Sequence, residues 1–407
     1  MRVCIVYDCL FPWTKGGAER WYRVLADELI RNGHQVTYLT RRQWDADDVP
    51  DLPGVRVVAV SAGGELYDRE GSRRIGPAVA FTRGVVAHLA RHRSAYDVVH
   101  VCQVPVMIVP AVRVALLGSG VVMGVDWHEV WSAHYWRQYL GAPKGTVAAL
   151  VQRVAAWTSP LAFPVSKHTE RKLVAQGLRG EVHVMPGLVY ETLTTAPTLT
   201  TPAHPQVVYV GRHIPDKRVN AVPAAVAAAR RTLPELTATV LGDGPARPAV
   251  LAEIERLGLQ DAVSAPGFVS QDEMDTAVRA ATCLLFPSGR EGYGLVVVEA
   301  AARGTPSVVV AGPDNSAAEL VEDGVNGVVT TSADPEVLAA AVVRVHESGP
   351  PLRESTARWF ADGVDTRSVQ ASARMILGVY EERTRRTRRT GRRGWRRWQQ
   401  GRTGAGR

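Results

Sequence analysis

The amino-acid sequence predicts two doubly wound α/β domains that face each other across a cleft. Three observations predict this. The chain has 407 residues, more than one ordinary core accommodates and enough for two. Short Val-rich apolar runs alternate with amphipathic helical runs along most of it, the pattern of parallel sheets covered on both faces. One stretch, 191–205, breaks the rhythm: it is rich in Thr and Pro, lacks periodicity and offers no core-building side chains, so it reads as a linker.

Before the linker, strands are predicted at 2–7, 35–40, 55–60, 97–101, 121–126, 161–165 and 181–185, with helices at 18–31, 78–91 and 147–157 among them. After it the scheme repeats, with strands at 206–210, 237–241, 282–286 and 307–311. The resulting division is an N-terminal domain over 1–190, the linker, a C-terminal domain over 206–362, a helix at 363–382 returning to the N-terminal domain, and a disordered Arg-rich tail at 383–407.

Composition narrows the class. Hydrophobic residues make up 46% and charged residues 22%, which suits a globular protein. The net charge of +8 is a property of the tail, where 383–407 holds 11 of the 48 basic residues and no acid, leaving 37 basic against 40 acidic residues in the body. Cys4, Cys9, Cys102 and Cys283 form no C-x-x-C pair and three lie in or beside apolar runs, so they are expected to be core thiols in a reducing compartment rather than disulfides or a zinc site. The opening apolar run is too short for a secretory segment, which predicts a cytoplasmic protein. The longest apolar run, 104–125, is interrupted by Arg113, two prolines and Gly118-Ser119-Gly120, which argues against a membrane span.

The chemistry concentrates in the second half. At Phe286-Pro287-Ser288-Gly289-Arg290-Glu291-Gly292-Tyr293-Gly294-Leu295 an apolar strand ends, a glycine-punctuated loop follows and a helix begins near Leu295. Glycines let the backbone approach a ligand closely, and amides at the helix start suit a diphosphate. Glu291 on the loop and Glu299 about one turn inside the helix place one carboxylate within reach of a sugar and the other within reach of a ribose diol. As plain structure, the same residues make a strand-turn-helix with one capping and one solvated glutamate. The intervening Gly-Tyr-Gly and the following Ala-Ala-Arg-Gly-Thr-Pro favour the binding reading. Upstream, Arg212 and Lys217 in Gly211-Arg212-His213-Ile214-Pro215-Asp216-Lys217 follow another strand and can hold an anion, although basic residues there are commonly solvated. In the first half, Gly16 and Gly17 open a helix after the first strand, and His128 follows the fifth. Trp131, Tyr135 and Tyr139 recur at helical spacing, either as core packing or as a platform for a sugar or lipid acceptor.

Together these segments resemble the family 4 retaining glycosyltransferases of the GT-B fold, over nearly all of residues 1–380. The Glu291…Glu299 pair looks like the family's E-x7-E signature, Arg212…Lys217 like its G-R-x-x-x-x-K element, and Gly16-Gly17-Ala18-Glu19 like its Gly-Gly-x-Glu loop. The resemblance implies two Rossmann-like domains, an acceptor-side N-terminal one and a donor-binding C-terminal one. It implies transfer of a hexosyl unit from a nucleotide-diphosphate sugar to an acceptor hydroxyl with retention, in cell-envelope glycan, glycolipid or secondary-metabolite assembly. Arg212 and Lys217 would hold the diphosphate with amides near Gly16, Gly17, Gly292, Tyr293, Gly294 and Leu295. Glu299 would bind the ribose, Glu291 the sugar and His128 the transferring group. The segment around Phe268 would border the base through its backbone, the alternative being a core phenylalanine.

No metal is expected, since Arg, Lys and amides replace the cation; the Asp45-Ala46-Asp47-Asp48 cluster reads as solvated. The expected partners are a UDP-, GDP- or dTDP-sugar and a glycan, lipid-linked or small-molecule acceptor, with no nucleic acid. The basic tail offers contact with an anionic membrane surface. Alternatives are a nucleotide-sugar epimerase of the same fold and a catalytically idle binding subunit. Met185-Pro186-Gly187 departs from the family's Pro-Asn-Gly at the hinge.

Overall fold

The structure is a computed structural model, and it describes every residue except 15, 46–49, 67–72, 191–198, 200–201 and 404–407; side chains are described up to residue 387. Most of the expected linker, three residues of the Asp45–Asp48 cluster and the end of the tail therefore lie outside the described residues. Asp45 itself is exposed.

The N-terminal domain is built on a seven-stranded parallel sheet in the order β3-β2-β1-β4-β5-β6-β7. Its strands are β1 (Arg2–Val6), β2 (Gln35–Arg41), β3 (Val55–Ser61), β4 (Val98–Cys102), β5 (Val122–Trp127), β6 (Leu161–Pro164) and β7 (Glu181–Val182). The crossovers run through α1 (Gly17–Arg31), α2 (Ile75–His92), α3 (Ile108–Ala115), α4 (Ala133–Leu140), α5 (Ala142–Thr158) and α6 (Lys167–Ala175). Central strands such as Val98–Cys102 are buried on both faces, because helices cover the sheet on either side. The apolar run 104–125 is thus a short buried helix and a strand. Among the described residues no helix is long and apolar enough to cross a membrane.

The C-terminal domain repeats the plan in six strands, β10-β9-β8-β11-β13-β15. These are β8 (Gln206–Val210), β9 (Thr237–Leu241), β10 (Val263–Gly267), β11 (Cys283–Phe286), β13 (Ser307–Val310) and β15 (Gly327–Thr330). A two-residue pair, β12 (Arg290–Glu291) with β14 (Asp314–Asn315), stiffens the loop after β11. The helices are α7 (Ala221–Ala229), α8 (Arg247–Arg256), α9 (Gln271–Ala280), α10 (Leu295–Ala301) and α11 (Pro335–Gly363), which kinks at Gly349 ahead of Pro350 and Pro351. A capping box between Ser270 and Glu273 starts α9. β10 and β15 had no counterpart among the predicted strands: the first is broken by Pro266 and Gly267, and the second is four residues long.

The last helix, α12 (Val369–Thr403), lies on the N-terminal domain. Tyr380 is fully buried, its hydroxyl 2.6 Å from Nδ1 of His100, and a β-carbon on Gly124 would overlap that hydroxyl. His100 Nε2 lies 2.9 Å from Asp126, which also accepts from Trp21 Nε1 at 2.7 Å, so a polar knot pins helix, sheet and α1 together. The expectation of disorder from residue 383 is corrected for 383–403, whose backbone continues this helix. Arg383 pairs with Glu181, Arg386 with Glu382, and Thr384 is buried against Met1 and the Tyr380 carbonyl. Arginine favours helix, and pairs four residues apart support it.

The four cysteines are free and buried, and burial pushes each thiol above its ordinary value.

Candidate functional site

Strand order locates the site before any side chain is considered. In an open α/β sheet, ligands sit beyond the carboxyl ends of the strands where the winding reverses. Here the reversals fall between β1 and β4 in the first domain and between β8 and β11 in the second. The loops leaving those strands, or the adjacent β5, carry Gly16 and Gly17, Gln103, His128, Arg212 to Lys217, and Glu291.

The two domains meet at these loops, and glycines let them. A β-carbon on Gly292 would overlap the His128 carbonyl and lie 2.8 Å from Glu129 Cγ, so only glycine allows the loop after β11 to pack on the loop after β5. Gly17 comes within 3.0 Å of Leu295 Cδ1 by the same measure. Gly294 has φ +98 and caps α10, whose start receives no side-chain capping hydrogen bond.

Lys217 and Glu291 are brought together as an ion pair, with the ammonium 5.7 Å above the Phe286 ring. Arg212 is exposed at the end of β8 and has no side-chain partner among the described residues. Glu299 is half-buried inside α10; burial is the main cause that raises its carboxyl above the ordinary range, opposed by Arg303 and by Arg20 from the first domain. His128 is held by Gln103, which accepts from its amide at 3.2 Å, and its Nε2 lies 3.4 Å from the Tyr22 hydroxyl. Burial depresses its imidazole below the ordinary histidine value, so the ring is neutral at neutral pH.

Two expected site residues lie in contrasting surroundings. Tyr293 turns its ring into the apolar cluster between the domains. Phe268 is not a core residue: it is 78% exposed, because Gly267 (φ +93) ends edge strand β10 and turns the chain outward. It stands two strands from β8, roughly 10 Å along the sheet.

The aromatic run is neither plain core nor an open platform. Trp131 precedes α4, whose cap Ser132 accepts from Tyr135 N, and the rings of Trp131, Tyr135 and Tyr139 gather within 6.0 Å of one another. The Arg290 guanidinium stacks 4.7 Å from the Trp131 centroid and 4.5 Å from that of Tyr135. Arg290 also pairs with Glu129 of the first domain and, at 2.6 Å, with Asp216 of its own. Tyr135 donates to Asp216 at 2.7 Å. Burial disfavours the Asp216 charge, but the Arg290 hydrogen bond and charge, the Tyr135 hydrogen bond and the Lys217 charge together outweigh it and hold the carboxyl below its ordinary value. This cross-cleft clasp sits one residue from both Lys217 and Glu291. Sequence reasoning did not identify it, since Glu129, Asp216 and Arg290 share no motif. Among the described residues no group of His, Cys, Asp and Glu is arranged to hold a metal.

Comparison with known proteins agrees with this architecture. The model of the family described as Glycosyl transferases group 1 matches residues 197–359, and that of the Glycosyl transferase 4-like domain matches residues 16–187. A D-inositol 3-phosphate glycosyltransferase of Xylanimonas cellulosilytica is 30% identical over 79% of this chain and 81% of its own. An alpha-D-kanosaminyltransferase of Streptomyces kanamyceticus is 32% identical over 44% of this chain, a match spanning 46% of that protein. Among solved structures, sucrose-phosphate synthase from Thermosynechococcus elongatus superposes with a TM-score of 0.75 at 19% identity, covering 94% of this chain and 98% of that one. Anabaena Alr3699/HepE in complex with UDP does so at 0.72 and 19%, covering 94% and 100%.

Proposed function

This chain belongs to the group 1 glycosyl transferases, the family 4 glycosyltransferases of the GT-B fold, and from that premise we propose that it moves a hexosyl unit from a nucleotide-diphosphate sugar to an acceptor hydroxyl with retention of configuration and without a metal. The observation that carries the reading is the pairing of Lys217 with Glu291 at one sheet reversal, with Arg212 on the same loop as Lys217, Glu299 on the helix that follows Glu291, and Gly292 and Leu295 packed against His128 and Gly17 of the facing domain.

Arg212, whose side chain has no partner among the described residues, and Lys217, shared with Glu291, are the cations that neutralise the diphosphate. As the bond from the anomeric carbon to the phosphate oxygen breaks, its electron pair goes to the diphosphate, and these cations stabilise the charge that develops. The acceptor oxygen bonds to the same face of that carbon, and its proton passes to the departing phosphate oxygen, yielding a glycoside and a nucleoside diphosphate. Glu291, released from part of its pairing with Lys217, accepts hydrogen bonds from the sugar. Glu299 accepts from the ribose diol, and the nearby Arg20 and Arg303 favour its ionised form. His128, neutral, presents the sugar with a ring that can donate or accept.

Donor chemistry is supported by the UDP bound in the HepE structure and by the relatives named as glycosyltransferases. Lys217→Ala and Glu299→Ala should each lower donor turnover at least 100-fold or so, since each removes a charged contact to the reacting ligand. Near-normal turnover in both would refute the assignment. The anomeric configuration of the product, read by NMR from scalar couplings, tests retention, and activity lost in EDTA but restored by manganese would refute the metal-free scheme. The Arg-rich end of α12 would bring the enzyme to an anionic membrane bearing its acceptor.

A further inference from the structure

A cavity of ≈ 350 Å³ opens at the carboxyl ends of β1, β2 and β3, apart from the residues assigned above. Its volume falls within the range of small-molecule sites. Trp13 and Trp44 form two of its walls, their rings 6.0 Å apart and inclined at 59°, both half-exposed. Arg41 and Arg42 form the polar side, and Gly63 and Gly64 close the far edge.

The walls are built rather than incidental. Gln43 is fully used as a strut: its carbonyl oxygen accepts from Leu10 N and Thr14 Oγ1, and its amide donates to Thr40 Oγ1 and the Arg41 carbonyl. A β-carbon on Gly63 would stand 2.8 Å from the Arg42 carbonyl, so the chain leaving β3 can cross there only as glycine. Gly64 has φ +135 and an open side.

Arg41 is the unusual member. It is 8% exposed, its Nη1 donates only to the Gly64 carbonyl at 2.8 Å, and its Nε is buried without a partner. Among the described residues neither Arg41 nor Arg42 closes an ion pair; Asp45, exposed at the rim, is the one carboxylate lining the cavity. A buried guanidinium without a counter-ion is costly, and a site that keeps one is suited to an anion arriving from outside. Arginine binds carboxylate and phosphate through its planar fork, while indole faces pack on the apolar face of a sugar ring. The segment between β1 and α1 carries Trp13 and Thr14 into the cavity and Gly17 to Leu295, so cavity and cleft share one loop.

We propose that this cavity is the acceptor site and that its occupant is a sugar or cyclic polyol bearing an anionic group, the ring packed against the exposed edges of Trp13 and Trp44 and the anion on Arg41 and Arg42. Calling the occupant an acceptor rests on the glycosyl-transfer reading above; binding itself does not. Titration calorimetry of the full chain, saturated with UDP, against glucose 6-phosphate, glucuronate and glucose tests it, the first two separating phosphate from carboxylate. One of the anionic sugars should bind at least roughly 10-fold more tightly than glucose, and Arg42→Ala should weaken it roughly 10- to 100-fold. Trp44→Ala should weaken it too, and Arg41→Gln most of all; should the buried Arg41→Gln fail to fold, the two surface variants decide. UDP affinity, measured on the same proteins, should stay unchanged in all of them and fall in Lys217→Ala. Failure of UDP to bind would strike the transfer reading alone. Equal binding of charged and neutral sugars, no binding of either anionic sugar, or indifference to Arg42→Ala and Trp44→Ala would overturn the assignment.

Discussion

The two domains touch along two rims that are built in opposite ways. On the hinge rim the contact is apolar and main-chain. Leu188, Val189 and Tyr293 share one cluster with Trp359, Phe360, Ile376 and Tyr380. Val189 N donates to the Arg367 carbonyl at 3.0 Å and Val369 N to the Val189 carbonyl at 2.8 Å. Ser372 Oγ donates to the Gly187 carbonyl at 2.6 Å. On the second rim the contact is polar: Arg290 with Glu129, Tyr135 with Asp216, Lys172 with Asp314, and Arg171 with Glu319, whose carboxylate also accepts from His168 N. Buried apolar area and paired amides persist under all ordinary conditions, whereas partly exposed ion pairs contribute little net stability and weaken with salt. The difference teaches which rim opens. If the domains move apart, the apolar side is expected to hold as the axle and the charged side to open as the mouth.

Among the contacts between the domains, Arg290→Ala gives the largest expected effect. It leaves Glu129 and Asp216 without their shared cation and unstacks two aromatic rings, so the closed arrangement of Lys217 and Glu291 loses its support. We expect kcat/KM to fall roughly 10- to 100-fold with the melting temperature changed by only a few degrees, and small-angle scattering to show a larger radius of gyration. Arg290→Lys should recover part of the activity, since it restores charge without the fork. Unchanged scattering and turnover would mean that the mouth is not held by charge.

Next in size is the axle. A β-carbon on Gly187 would overlap the Arg367 backbone, so Gly187→Ala should lower the melting temperature by roughly 3–10 °C through overpacking. Sodium chloride should not mimic that change. A melting curve indistinguishable from that of the parent chain would show that the hinge tolerates slack.

Acidification separates the histidines from the Arg290 clasp by pH window. His128, His168 and His213 are all held below the ordinary histidine value, with burial the leading cause in each. Such groups contribute stability that is complete above about pH 6.5 and is lost as pH falls below it, because the unfolded chain takes up the proton first. Asp216, held below its ordinary value, contributes stability above roughly pH 4 that is lost only on further acidification. Between pH 7 and 5 the melting temperature should fall by roughly 2–5 °C while the Arg290 clasp persists. A flat profile over that interval would contradict the histidine assignment.

The smallest effect concerns the helix end. Truncation after residue 387 keeps the buried Thr384 and the Arg383–Glu181 pair. Turnover of a water-soluble acceptor should be unchanged within about twofold, while co-sedimentation with anionic liposomes should drop. Equal sedimentation of both proteins would remove the membrane role.

Legibility in the sequence follows the same divide. The C-terminal side of the cleft was readable because its groups lie on single strand-loop-helix segments: the predicted strands 206–210 and 237–241 coincide with β8 and β9, and Glu291 and Glu299 sit where their spacing put them. The pairing of Lys217 with Glu291 was not readable, since 74 positions separate them and only the adjacency of β8 and β11 joins them. Phe268 was misjudged as a possible core residue because hydrophobicity carries no direction; Gly267 supplies the direction. Tyr135 showed a helical stripe, but nothing local said that a guanidinium from the other domain would fill it. The tail was read from composition, which registers the absence of apolar residues and misses that a helix already anchored by Tyr380 extends through Thr403.

Sequence by itself determined the two parallel-sheet domains, the loops that bear the charges and the family they belong to, because periodicity and short motifs are properties of neighbouring residues. Tertiary structure decided which charges meet, which rim carries Arg290, and that Arg41 is buried beside two tryptophans with no ion-pair partner among the described residues. Those are relations across the chain, created when strand order brings distant loops to one edge, and no local pattern encodes the field that one side chain feels from another folded against it.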